Sequence, residues 1–354
     1  MKKFYLFAMV LCLLAVSASN SLFAQGDDNT AAKDDNAASA ANPRFSILGA
    51  FSIFPPEFFD FGPIHREMKT GDSLALYDSA TSYNLSLQLG AKLFGDFGAF
   101  IDFGFNDTNL GKAIGLMAKL NSKWFTIQLD YRMLSTPVKY WEDGSAYESQ
   151  EPNVNKDFNQ TWMTTGLMFN LPKKMSFMHL GLVYFQGAVP QILEVYNLYT
   201  DGKRYGFLAD CPIWAFGFRM GLGWDHDTDD DDLKTPFLAL LFPSLAPPKW
   251  TTTASVLFDF AWGKGTPDKD ALKAAREVAE NPDEFSASDY DAAYIRFYAR
   301  YGLNYHKNFG KSSLIIGGGP EVNILYPYLK DSSTFNQFEL PGFFGFYFRV
   351  GIKF

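Results

Sequence analysis

Along most of this chain, large apolar residues fall at every second position. In "GFFGFYFRVGIKF", Phe344, Phe346, Phe348, Val350, Ile352 and Phe354 share one face, and Gly345, Tyr347, Arg349, Gly351 and Lys353 the other. A period of two belongs to a strand and not to a helix. The same alternation runs through "WFTIQLDYRML", "WAFGFRMGLGW" and "AYIRFYARYGLNY". It predicts strands at 44–53, 82–94, 96–106, 112–120, 123–134, 160–170, 176–186, 190–200, 212–224, 235–243, 250–263, 290–305, 311–325 and 342–354, fourteen in all. Two are weaker: 190–200 carries Glu194 among mixed neighbours, and "PFLALLF" is apolar on both faces, so twelve strands is the alternative.

Alternation alone does not choose between a protein core and lipid. Strand length and tryptophan placement do. The clearest strands run ten to fourteen residues, whereas soluble strands average five or six and tilted membrane strands need about 9 to 11. Trp124, Trp162, Trp214, Trp224, Trp250 and Trp262 fall at predicted strand ends, as expected of indoles in a membrane-interface girdle. Trp214 and Trp224 share a face ten residues apart, or ~33 Å along the strand; a tilt of about 40° leaves roughly 25 Å, the height of a barrel's apolar band.

The links repeat the argument. "HKNFGK", "SLAPPK", "LPKKM", "NSK" and "FGD" are short and fall on one side in this count, while 54–81, 135–159, 264–289 and 326–341 are long and fall on the other. Short periplasmic turns and long external loops are the arrangement of outer-membrane barrels. Lys2 and Lys3 precede the apolar run "FYLFAMVLCLLAV", so residues 1–24 read as a secretory signal peptide. Residues 25–43 hold nothing large and apolar and read as a disordered acidic periplasmic arm. Residues 44–354 form one barrel domain.

The aromatic ladder Phe346, Phe348, Val350, Ile352 and Phe354 resembles the last strand of bacterial outer-membrane β-barrel proteins. The resemblance implies an all-β, antiparallel up-and-down barrel in the bacterial outer membrane, both termini periplasmic. It further implies outer-membrane lipid around the barrel and a barrel-assembly machinery that reads the terminal strand as its signal. Physically, the last strand must pair with the first, because an open edge in hydrocarbon leaves backbone groups unsatisfied.

Charge then bears on function. The chain's formal charge is −8, which argues against nucleic acid as a partner. Yet the faces assigned to the lumen carry Lys92, Lys119, Arg132, Arg219, Arg296, Arg300, Arg349 and Lys353 against Asp102, Asp130, Asp259 and Glu321. A water-filled interior of that balance would favour anionic small solutes, so the expectation is a channel or uptake barrel. The bland alternative is a polar filling in which these groups pair across strands, giving a closed structural barrel or an adhesin that displays its long loops. A hydrophobic-solute transporter similar to the fourteen-stranded fatty acid transporters is a minor alternative, since 25–43 is too short and polar to be their N-terminal hatch.

No enzyme, cofactor or metal site is expected. His65 and His226 fall in external loops, His179 on a strand followed by Leu180 and Gly181, and His306 in a periplasmic turn. "DHDTDDDDL" starts like a calcium loop, but Asp230 replaces the glycine of the sharp turn and Pro236 the bidentate glutamate. "TPDKDALKAAREVAENP" reads as a helix with Pro267 at its first turn and Pro282 after its end, resting on the rim or, as the alternative, capping the pore, with Leu272, Ala275, Val278 and Ala279 as its apolar stripe. Once the signal peptide with Cys12 is removed, Cys211 is alone, read as a small apolar residue near the periplasmic end.

Overall fold

A computed structural model describes residues 45–54, 82–94, 97–108, 111–122, 124–140, 145–146, 154–170, 178–197, 202–224, 242–245, 249–285, 289–309, 312–329 and 344–354. The predicted signal peptide and arm lie outside these residues. The described residues form thirteen strands: β1 Phe45–Phe54, β2 Ser82–Phe94, β3 Phe97–Thr108, β4 Gly111–Asn121, β5 Phe125–Tyr140, β6 Ser145–Ala146, β7 Val154–Asn170, β8 Met178–Asn197, β9 Lys203–Trp224, β10 Trp250–Gly265, β11 Tyr290–Phe309, β12 Ser312–Leu329 and β13 Phe344–Lys353. Among the described residues one α-helix, α1, spans Lys269–Val278.

Twelve of the strands close an antiparallel barrel, each pairing with its neighbour in sequence, with β5 pairing β7 and β13 pairing β1. The two-residue β6 only pairs the upper end of β9. Ring closure runs from Ser46 opposite Lys353 to Ile53 opposite Phe346. Phe45 and Phe354 exchange both backbone hydrogen bonds at 2.9 Å, sealing the last pair. The alternation is obeyed on β13: Phe346, Phe348, Val350 and Ile352 are exposed outward, while Gly345, Tyr347, Arg349, Gly351 and Lys353 are buried inward.

The strand count is twelve, the alternative, and not fourteen. Residues 190–197 continue β8 without a turn, and β9 begins at Lys203 to pair that extension. Gly187 looks like turn punctuation but serves packing: a Cβ there would lie 2.7 Å from Cδ1 of Trp162. Most of the "PFLALLF" segment lies outside the described residues, and the ring does not need it, since β9 pairs directly with β10.

Dropping both strands moves one link. The links 55–81, 141–153, 266–289 and 330–343 lie at the end opposite the termini, as expected, but 225–249 joins β9 to β10 at the end that holds the termini. The strands flanking the link that carries His226 and the acidic stretch, residues outside the described set, therefore meet it at the end that holds the termini, opposite to the expectation. The wall is also uneven: β1 to β4 and β13 span 10 to 13 residues, whereas β8, β9 and β11 span 20 to 22. The extra length rises at the end opposite the termini.

Helix α1 lies inside this tall wall rather than on the rim. Asp268 caps it, accepting from the backbone N–H of Asp270 at 2.9 Å and of Ala271 at 3.2 Å. Its second carboxylate oxygen accepts from the Asp210 N–H of β9, tying the helix start to the wall. Ala271, Leu272 and Ala275 bury against Leu193 and Val195 of β8 and Ala209 of β9, inward-facing residues, with Val278 and Ala279 packed alongside. The expected stripe is the one used; the surface it covers is the inner wall.

Candidate functional site: the barrel interior and its outer belt

The outer surface sets the frame. Trp214 and Trp262 are each 50% exposed on adjoining strands, where Trp262 stands opposite Phe216. Phe216, Phe218 and Phe260 fill the belt beside them, Phe260 and Trp262 meeting edge-on at 4.8 Å. The next outward pair above Trp262 is Lys264 with Asp291, exposed and joined at 2.6 Å. A charged pair one step beyond the indoles marks where the apolar belt ends. At the terminus end Trp124 is 69% exposed, and Trp250 lies 5.2 Å from the Tyr305 ring. Trp224 pairs Ala254 at the same end, its side chain outside the described residues.

Trp162 does not join this girdle. Only 3% exposed, it points into the lumen and donates from Nε1 to the Ala188 carbonyl at 2.8 Å. Its parity explains the placement: Thr164, Gly166 and Met168 share its buried face, while outward-facing Phe169 is exposed. A buried indole needs an acceptor, and the neighbouring strand supplies one.

Around Trp162 the lumen is filled by an apolar core. Phe185 of β8 stacks on Tyr294 of β11 at 4.3 Å and 10°, and Trp162 meets Phe185 edge-on at 6.1 Å. β8 and β11 are separated along the wall by β9 and β10, so this stack crosses the interior. Val189, Cys211, Ile213 and Leu134 complete the layer. Cys211 therefore sits in this core toward the tall end, its thiol donating to the Thr266 carbonyl at 3.2 Å, and not near the terminus end.

The charged residues assigned to the lumen lie next to this core and below it. Arg219 and Asp259, opposite each other on β9 and β10, form two bonds of 2.7 Å with neither side chain exposed. Gly166 makes this possible, since a methyl group there would collide with the Arg219 guanidinium. Arg296 donates to Asp130 at 2.7 Å, joining β11 to β5 across the lumen. Thr164 of β7 donates to the Tyr294 hydroxyl of β11 at 3.4 Å in the same layer. Arg300 pairs with Glu321 on the adjoining strand at 3.2 Å, and Ser52 donates to the same Glu321 oxygen at 2.9 Å. Arg349 reaches over Gly317 to Asn304 at 2.9 Å and Thr253 at 2.7 Å. Lys119 and Arg132 line the space left open, Lys353 is buried at the terminus end, and Lys92 and Asp102 have only their backbone described.

That space is a cavity of about 220 Å³. His179 is on its wall, and His306 is outside it, hydrogen-bonded to Thr251 at 2.7 Å. His65 and His226 lie outside the described residues. Among the described residues no cluster of His, Cys, Asp and Glu is set to hold a metal.

No protein-family model matches the chain. No curated protein matches it. Among solved structures it is similar to the NanC porin, at 9% identity over 87% of this chain and 98% of that one, with a TM-score of 0.28. It is also similar to LpxR from Salmonella typhimurium, at 8% identity over 87% and 100% with a TM-score of 0.32. A third is the beta domain of the Bordetella autotransporter BrkA, at 9% identity over 88% and 98% with a TM-score of 0.30. At such identities and scores these likenesses do not assign the chain to any of the three families.

Proposed function

We propose that this protein is a non-catalytic anchor in the bacterial outer membrane, its barrel shut by its own side chains and its long links held outside, with both termini periplasmic. One observation carries the reading: the interior is bridged by the Phe185–Tyr294 stack and the Arg296–Asp130 ion pair, each joining strands that are not neighbours. An eight-stranded barrel is filled by side chains and sixteen to eighteen strands leave a channel; twelve strands with large inward aromatics lie on the filled side. The membrane placement is supported by the outward apolar belt, which ends at Lys264 and Asp291. The aromatic face of β13 is the surface a barrel-assembly machinery would read.

The test is reconstitution in a planar lipid bilayer. The unaltered protein is expected to give no steady conductance, and a variant carrying Trp162→Ala, Phe185→Ala and Tyr294→Ala is expected to conduct. Steady anion-selective current from the unaltered protein would sink the anchor. It would support the second reading, a small-solute channel, which the basic residues on the cavity wall favour.

A further inference from the structure

We propose that the cavity in the terminus-side half of the barrel binds a neutral, polyhydroxylated solute of monosaccharide size. The charged groups of its described lining are already engaged: Arg296 with Asp130, Arg300 with Glu321, and Arg349 with Asn304 and Thr253. Lys119 and Arg132 have partners too. Recognition therefore falls to the uncharged groups. Asn84, Ser86 and Gln88 stand at successive inward positions of β2, each half-buried and each on the cavity wall. Tyr83, Leu85, Leu87 and Leu89 between and beside them are the outward, exposed set, so the surface these three leave uncovered opens into the lumen. Asn323 of β12, three strands round the ring from β2, lines the same space and is half-buried as well. None of the four has a hydrogen-bond partner among the described residues. Thr126, only 1% exposed and likewise without a partner among the described residues, lines the cavity with them.

The chemistry of these groups narrows the class. An amide side chain presents a donor and an acceptor in one plane, and a hydroxyl both gives and takes a hydrogen bond. The hydroxyls of a sugar offer the complementary mixture without bringing a charge that would need a free counter-ion. Successive inward side chains of β2 are ~7 Å apart, about the width of a sugar ring, so neighbouring steps reach opposite edges of one ring. Room is made on the same wall, because Ala50, Ser86, Gly104 and Gly115 stand opposite one another in turn across β1, β2, β3 and β4. A Cβ added at Gly104 would come no nearer than 4.0 Å to the Asn84 Oδ1, so the space above it is open. Tyr298, opposite Asn323, also lines the cavity and gives an aromatic surface to the C–H face of a ring. The volume is about 220 Å³, far more than the ~10–15 Å³ that one water needs. Thr126 and His179 on its wall lie next to the first residues of β5 and β8, so the solute comes from the end that holds the termini. Binding there does not rest on the barrel being shut at its tall end, and conductance does not bear on it.

The experiment is saturation-transfer difference NMR with isothermal titration calorimetry on the full chain, folded in an amine-oxide detergent that carries no sugar. D-glucose, D-galactose and D-mannose are the probes, and glycine betaine, a small solute without hydroxyls, is the control. Saturable one-to-one binding of at least one hexose is expected, at least tenfold tighter than betaine. Asn84→Leu with Gln88→Leu keeps side-chain size and removes the hydrogen bonding, and should weaken that hexose at least tenfold. Ser86→Gln adds no charge and no apolar surface but fills the recess, and should weaken it by a similar factor; it serves where the double variant fails to give the heat-dependent gel shift of a folded barrel. Lys273→Ala, at an exposed position of α1, should leave binding unchanged. Absence of saturable binding by all three hexoses overturns the proposal, as does betaine binding as tightly as the sugar. Hexose affinity that survives in folded Ser86→Gln protein or in the folded double variant overturns it too.

Discussion

Replacing Asp259 with Asn leaves the shape of the interior nearly unchanged and removes one charge from a pair whose two side chains are wholly buried. Arg219 is then a guanidinium with no carboxylate at bonding distance among the described residues. Its Nη1 already lacks a hydrogen-bond partner among them, and the nearby Asp130 is held by Arg296. Breaking a buried pair from one side costs about 3–5 kcal/mol, more than a hundredfold in the folding equilibrium at about 1.4 kcal/mol per tenfold. The double change Arg219→Met with Asp259→Leu removes both charges and should recover most of the loss, because the pair's own desolvation cost disappears with it. Urea titration in lipid vesicles, followed by tryptophan fluorescence and by the heat-dependent gel shift of a folded barrel, measures both. A single substitution costing under ~1 kcal/mol, or a double as unstable as the single, would refute the idea that this pair is an enclosed, mutually dependent unit. Gly166→Ala supplies an independent route to the same loss, since its methyl group displaces Arg219 without touching either charge.

Single-tryptophan variants retaining Trp214 or Trp262 should be strongly quenched by brominated lipid, while one retaining Trp162 should be almost unaffected; strong quenching of Trp162 would put it back in the girdle. Ala275→Asp buries a carboxylate where α1 meets the wall, and protease should then cut the 266–289 link at least tenfold faster, whereas unchanged cutting would mean the helix does not rest on β8 and β9. Phe348→Ser together with Ile352→Ser should leave β13 able to pair yet reduce the amount of folded barrel assembled in cells severalfold. Normal assembly of that variant would remove the aromatic face from the proposed recognition step.

Much of the interior was readable one strand at a time. Because the side-chain period is two, the parity that puts Phe348 outward also puts Arg349 inward, and the same holds for Phe218 and Arg219. The inward placement of Arg219, Arg296 and Arg349 follows from such local patterns. Their partners do not. Asp130 and Arg296 are 166 residues apart and meet only because a closed ring brings β5 and β11 face to face. Trp162 departs from the expected girdle because position at a strand end does not say which face an indole occupies; Thr164 and Gly166 on its own face and Leu167 and Phe169 on the other hold that information. The expected break at 187–189 has a similar origin, since a glycine that makes room for an indole across the sheet cannot be told in sequence from one that starts a turn.

What the chain determines by itself is the strand period, the face each strand turns inward, and the aromatic belt, all of which rest on neighbours within a few residues. What only the tertiary structure decided is how many strands close the ring, at which end β9 and β10 are joined, and which side chains meet across the lumen. Those outcomes depend on contacts between segments far apart in the chain, where the volume of Trp162, Phe185 and Tyr294 is set against the width of a twelve-stranded ring. Local periodicity carries no record of that width.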